Sequence, residues 1–304
     1  MGTIGKAVLR QIYRCAGLLL LVPLVAACGG EKSGAPSQSQ FLYDESKPLD
    51  VQDKPTSFST SDVRVDDVSF TGPGKTRLKA YVLMPSGSKG RHPAVIYAHG
   101  AGGDRKELLD EALKMADKGA VTLTLDMIYS PNRARPLPGG MAGARANSKL
   151  EQEGVKEVRR AVDYLRSRDD VDGDQIGYVG WSAGARMGAI TAGVEHRIKA
   201  YDLISGGAVP VSEYVSLAPA DLRVELRTVL EEADPLHFVG LAKPSALLFQ
   251  DGRQDEIVPQ AALKDLADAG SEPKEVRWYD AGHAPNAKMW AESRSWLADR
   301  LGSS

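Results

Sequence analysis

The chain is predicted to fold as an α/β domain, a mostly parallel eight-stranded sheet with helices on both faces and a small lid insertion. Three observations predict it. Strand-like and helix-like patterns alternate from about Val63 to the C-terminus. The central strand-like stretches are near-continuous apolar runs, as expected where both sheet faces are covered. A glycine-rich stretch, "YVGWSAGARMG" (178–188), joins one such run to a helix-like one through a turn too tight for larger residues.

Taken in order, "VRVDDVSF" and "LKAYVLM" read as an opening antiparallel pair around the turn "TGPGK". "PAVIYAHG" reads as a buried strand. Leu109, Ala112, Leu113 and Ala116 follow at i, i+3, i+4, i+7 spacing and mark one helix face. "AVTLTLDM" is the fourth strand, and Val155, Val158, Val162 and Leu165 stripe the next helix. "IGYVGW" with its helix, "IKAYDLIS", "SALLFQ" with a helix from about Gln260, "EVRWYD" and a last helix from about Pro285 complete the alternation. Two connections after strand ends are longer than usual: "MIYSPNRARPLPGGMAGARANSK" and roughly residues 206–244. The second holds "ADLRVELRTVLEEADPLHF", expected to be the helical lid. The first carries Arg133, Arg135, Arg145 and Lys149 and no acid, against a formal net charge of −2 for the whole chain. Its bland reading is a solvated loop. Its sharper reading is that Arg133 or Arg135 binds an anionic group on a substrate, because a planar guanidinium suits bidentate recognition.

The N-terminus has another character. Lys6, Arg10 and Arg14 precede a short apolar run ending in "VAAC", which reads as a signal peptide over residues 1–27. "VAAC" resembles the bacterial lipobox, and that resemblance implies a lipidated Cys28 and export to the cell envelope, on the cell membrane or outer membrane. The only other cysteine, Cys15, lies within the signal, so no disulfide is expected in the mature domain. Residues 28–61, rich in Gly, Ser, Gln and Pro, are expected to be a flexible tether, with Phe41–Tyr43 as the one apolar spot able to dock. Residues 62–304 would form the one large folded domain. No basic patch points to nucleic acid. No H-E-x-x-H or CxxC suggests a metal, and no cofactor is expected.

Strand, sharp turn and helix are the setting in which G-x-S-x-G presents a nucleophile, here Ser182. A serine hydroxyl needs a base, an acid to orient the base, and donors for an oxyanion. Of five histidines, only His283 lies in a turn-like loop directly after a late strand, "DAGHAPN". His99, ending the third strand in "AHGAGG", reads as the start of an oxyanion loop. "FQDGRQDEIVP" offers Asp251, Asp255 and Glu256, with Asp255 the first choice and Asp251 the second. In the order "AHGAGG", "GWSAG", "GRQDEIVP", "AGH", the chain resembles the α/β-hydrolase superfamily. With "RIKA" after the nucleophile helix, it is most similar to the dienelactone hydrolase-related and prolyl-oligopeptidase-like esterases. That resemblance implies Ser182 as nucleophile, Asp255 as acid, His283 as base and the Ala101 and Ala183 N–H groups as oxyanion hole. It implies a carboxylic ester hydrolase acting on a small-molecule ester through an acyl-enzyme. Serine stands where dienelactone hydrolases proper have cysteine, and the chain has no room for the propeller of the peptidases. An acyltransferase of the same fold and a non-catalytic binding lipoprotein are the rival readings.

The anchor gives a direct expectation. Wild-type protein made in a lipoprotein-processing bacterium should partition into detergent and carry an acylated Cys28 by mass spectrometry. The Cys28→Ser protein should not, and an unmodified mature N-terminus in the wild type would contradict the reading.

Overall fold

A computed structural model describes residues 37–74, 76–87 and 90–302. The signal-like segment and Cys28 lie outside the described residues. One nine-stranded sheet runs in the order β1-β2-β3-β5-β4-β6-β7-β8-β9. The strands are β1 (Gln52–Pro55), β2 (Val63–Thr71), β3 (Arg77–Pro85), β4 (His92–Ala98), β5 (Val121–Leu125), β6 (Val171–Trp181), β7 (Ile198–Ile204), β8 (Ala246–Gly252) and β9 (Lys274–Tyr279). β1, β2, β3 and β5 pair antiparallel. From β5 onward every pairing is parallel.

Burial follows from this division. β5 and β8 are buried at every position, because helices cover both their faces. One face carries α1 (Leu109–Asp117) and α8 (Ala287–Leu301), which pack Met115, Trp296 and Leu297 against Val95, Val179 and Leu248. The other carries α2 (Gly140–Arg166), α3 (Ala183–Ala192), α6 (Pro235–Val239) and α7 (Gln260–Ala269) over Ile96, Tyr178 and Leu203. The expected lid is present between β7 and β8 as α4 (Val211–Leu217) and α5 (Arg223–Glu231), followed by α6. It is tied to α2: Ser148 donates to Glu232 at 3.0 Å, and Arg145 pairs with Glu225.

Three expectations are corrected. The sheet has nine strands rather than eight: β1 is exposed at all four positions and contains Pro55, so no apolar pattern announced it. The described part of the expected tether is docked on the domain. Phe41 is fully buried and meets Phe238 edge-on at 5.2 Å, while Tyr43 donates to Asp163 at 2.7 Å. Two arginines of α2 clamp the same strand of chain: Arg159 donates to the Phe41 carbonyl at 2.7 Å, and buried Arg160 donates to the carbonyls of Lys47 and Thr71. The fold therefore includes the stretch around Phe41, ahead of the expected boundary at 62. Finally, the long connection after β5 is only half a loop. Its second half, from Gly140, is the start of the 27-residue α2, which begins as soon as Pro136 and Pro138 are passed.

Candidate active site

Ser182 follows directly on β6, at the carboxyl edge of the parallel strands, where sites of open α/β sheets form. Its backbone sits at φ 58°, ψ −114°, with its N–H donated to the Ile204 carbonyl at 2.8 Å. Two glycines make the turn possible. A Cβ on Gly180 would lie 2.5 Å from the Gly184 carbonyl, and one on Gly184 would lie 2.2 Å from the Ala98 oxygen. Strand and helix can approach this closely only if both positions lack side chains.

The structure brings the three expected side chains together. Ser182 Oγ lies 2.8 Å from His283 Nε2, and His283 Nδ1 lies 2.8 Å from Asp255 Oδ2. The other oxygen of Asp255 accepts the N–H groups of Ile257 and Val258, each at 2.8 Å. That fixes the carboxylate so that His283 presents Nδ1–H to it and leaves Nε2 as an acceptor for the serine. The His283 carbonyl accepts from Trp181 Nε1 at 3.0 Å, which ties the base's loop to the strand carrying the serine.

Asp251, the alternative acid, is elsewhere. It is 1% exposed, and neither carboxyl oxygen has a hydrogen-bond partner among the described residues. Burial, then the nearby charges of Asp255 and Asp202, push it up to about 8. Asp202, in turn, is pushed up to about 7 by burial, although it accepts from Gln250 Nε2.

Ala101 and Ala183 line the cavity beside Ser182, and no acceptor among the described residues takes either N–H. The loop holding Ala101 is braced at both ends. Glu107 accepts the Gly100 N–H at 3.1 Å. His99 is buried, and its Nε2 accepts the Met127 N–H at 3.0 Å, so the proton must be on Nδ1, which donates to the Gly100 carbonyl at 2.7 Å. Burial lowers the His99 pKa, in keeping with a neutral imidazole used as a brace.

The cavity above Ser182 has a volume of about 1350 Å³ and is walled by the connection after β5, the start of α2 and the lid. The anion-binding expectation fails for Arg133. Both its terminal nitrogens are taken by Glu157, at 2.9 and 2.5 Å, and one also reaches the Asp126 carbonyl at 2.7 Å. Its charge is neutralised inside the wall. Arg135 is exposed at the rim and lines the cavity. The sequence reading missed three polar groups in that cavity, Tyr129, Glu151 and Arg186. Arg186 lay in the quoted glycine-rich stretch, but a helical arginine alone gives no sign of facing a cavity.

The strand order agrees with the comparisons. Residues 78–220 match the model of the dienelactone hydrolase family, and residues 158–283 match that of the BAAT / acyl-CoA thioester hydrolase C terminal. The chain has the α/β-hydrolase fold, and each of the two family models covers less than half of it. Among solved structures, the chain is similar in fold to acetyl xylan esterase 1 from Thermoanaerobacterium sp. JW/SL YS485, with TM-score 0.74, 18% identity, and coverage of 86% of this chain and 91% of that one. It is also similar to an acetyl xylan esterase from Paenibacillus sp. R4, with TM-score 0.72, 19% identity, and coverage of 99% and 95%. The uncharacterized protein YcjY of Escherichia coli (strain K12) is 26% identical over 73% of this chain and 68% of its own length. A protein of Bradyrhizobium sp named "Probable 2-oxo-3-(5-oxofuran-2-ylidene)propanoate lactonase" is 31% identical over 44% of this chain and 53% of its own. The chain spans about half to two thirds of the length of the curated relatives it matches.

The buried acid gives a pH-dependent expectation. An unfolded aspartate loses its proton near pH 4, whereas folded Asp251 keeps it until about pH 8. Across that window the folded state holds the extra proton, so stability falls as pH rises. Asp251→Asn, which stays neutral, should gain on the wild type by on the order of 1 kcal/mol per pH unit between pH 5 and 8. Urea unfolding at both pH values checks it, and equal pH slopes for the two proteins would contradict it.

Proposed function

We propose that the protein is a serine hydrolase that cleaves small carboxylic esters through an acyl-enzyme. The observation that carries this is the unbroken hydrogen-bond chain from Ser182 Oγ through both ring nitrogens of His283 to Asp255. His283 Nε2 takes the serine proton as Oγ attacks the ester carbonyl carbon. The carbonyl oxygen becomes an oxyanion within reach of the Ala101 and Ala183 N–H groups, which meet no other acceptor among the described residues. Collapse of the tetrahedral intermediate breaks the ester C–O bond, and the leaving alkoxide takes the proton back from His283. Water then attacks the acyl-enzyme by the same route, with His283 again the base. Asp255 holds the imidazole in the required tautomer and stabilises the imidazolium while it exists. Further support comes from the family match and from the likeness of the fold to esterases. The same proposal places the enzyme on a membrane of the bacterial envelope, held by a lipidated Cys28, with the described domain beginning close behind it.

Steady-state kinetics on a panel of aryl esters of graded chain length tests the roles. Ser182→Ala and His283→Ala should each lower kcat by about 10³-fold or more, and the double variant by little more than either. Asp255→Asn should lower it by about 10³- to 10⁴-fold, while Asp251→Asn stays near wild type. Near-normal turnover in Asp255→Asn would remove that residue from the mechanism, and no turnover of any ester by the wild type would overturn the reading.

A further inference from the structure

The cavity over Ser182 is far larger than an acetyl group requires. Its volume is about 1350 Å³. A water molecule's share of liquid volume, close to that of one methylene, is about 30 Å³. An eight-carbon chain would therefore fill only about a fifth of the space. The cavity also runs on from the serine. It reaches Arg186, one turn further along α3 and about 6 Å along the helix axis, and then α2 and the lid. Its wall is mostly apolar. Leu137, Leu150 on α2, Val209 ahead of the lid and Leu230 on α5 line it, each half-buried or exposed. All four lie outside both hydrophobic cores of the sheet, so their apolar surface is not part of the packing that holds the fold.

The charged groups of the wall do not alter that character. Arg133 is closed on Glu157, Arg186 on Glu151 and Glu153 on Lys156. Arg135 and Lys149 pair with no acid among the described residues, and both are exposed to water. The arrangement around the serine says which half of an ester belongs here. Ser182, Ala101 and Ala183 line the cavity, and His283 does not. The leaving oxygen must face His283 Nε2 to be protonated, so the alcohol half departs on the imidazole side. The substituent left on the carbonyl carbon, the acyl chain, then points the other way, into the cavity. We propose that the cavity holds a long apolar acyl chain, so that the enzyme prefers fatty acyl esters to acetyl esters. The inference rests on the proposed ester hydrolysis and narrows its substrate. It also separates this chain from the acetyl group in the names of the two esterases it resembles in fold. Each methylene moved fully from water into an apolar wall strengthens binding about 3- to 4-fold, which is the source of the preference.

Two ester series test it, both kept below the concentrations at which chains aggregate. In one, the alcohol stays nitrophenol and the acyl group lengthens from acetyl through butyryl and hexanoyl to octanoyl. In the other, the acyl group stays acetyl and the alcohol lengthens from methyl to octyl. Along the first, kcat/KM should rise about 2- to 4-fold per carbon, so that octanoyl exceeds acetyl by about 100-fold or more. Along the second it should stay within about 3-fold. Calorimetric binding to Ser182→Ala protein reads chain uptake without turnover, and methyl octanoate should bind about 20- to 200-fold more tightly than methyl butyrate. Leu150→Trp, on α2, and Leu230→Trp, on the lid, are made separately so that one folded variant suffices. Each should lower the octanoyl-to-acetyl ratio by about 10-fold or more by filling the space the chain needs. A flat acyl series, a rise along the alcohol series instead, or a ratio unchanged in a folded tryptophan variant would overturn the proposal. If wild-type enzyme turns over no ester while Ser182→Ala still prefers methyl octanoate, ester hydrolysis falls and chain binding stands.

Discussion

Ser182 is held at φ 58°, ψ −114°, a backbone region that costs a residue with a side chain about 1–3 kcal/mol. The rest of the molecule is arranged so that this conformation persists. Gly180 and Gly184 let α3 press against the end of β6, and the Ser182 N–H is fixed on the neighbouring strand through Ile204. With the turn in place, the serine hydroxyl stands clear of the sheet edge, the Ala183 amide points outward at the start of α3, and the loop after β4 runs alongside. Relaxing the turn would withdraw all three together. The large, doubly covered sheet therefore serves as the rigid frame against which one strained residue is held.

Around that turn, arginines act as mortar in the walls. Arg133 is closed on Glu157, Arg145 joins α2 to the lid through Glu225, and Arg159 and Arg160 fasten the N-terminal stretch to α2. Each spends its donors on carboxylates or carbonyls of the protein itself. A basic residue in the wall of the cavity, such as Arg133, thus need not present its charge to a substrate.

The site was more legible in the sequence than the edges of the fold. Ser182 and His283 could be read because each sits at a strand end in a chemically distinctive turn, and the structure brings both together. Asp251 and Asp255 lie within five residues of each other after the same strand, and spacing alone does not say which one faces the imidazole. The structure separates them: Asp251 belongs to the strand and points into the interior, while Asp255 is turned back by its bonds to Ile257 and Val258. β1 could not be read, because a fully exposed four-residue edge strand has no apolar face to reveal it. The docked stretch around Phe41 was hidden for a related reason: a single buried aromatic within a polar sequence looks like a linker. Glu151 was invisible because a glutamate in a helix is ordinary until the helix is placed.

The central claim is that His283, held by Asp255, makes the Ser182 hydroxyl a nucleophile. Its most direct test is covalent labelling of the wild-type domain with a fluorophosphonate, read by intact mass and peptide mapping. The account predicts a single adduct on Ser182 Oγ with loss of fluoride, absent in Ser182→Ala and greatly slowed in His283→Ala. A folded wild-type protein that takes no label, or a label that persists on another serine when Ser182 is replaced, would contradict it.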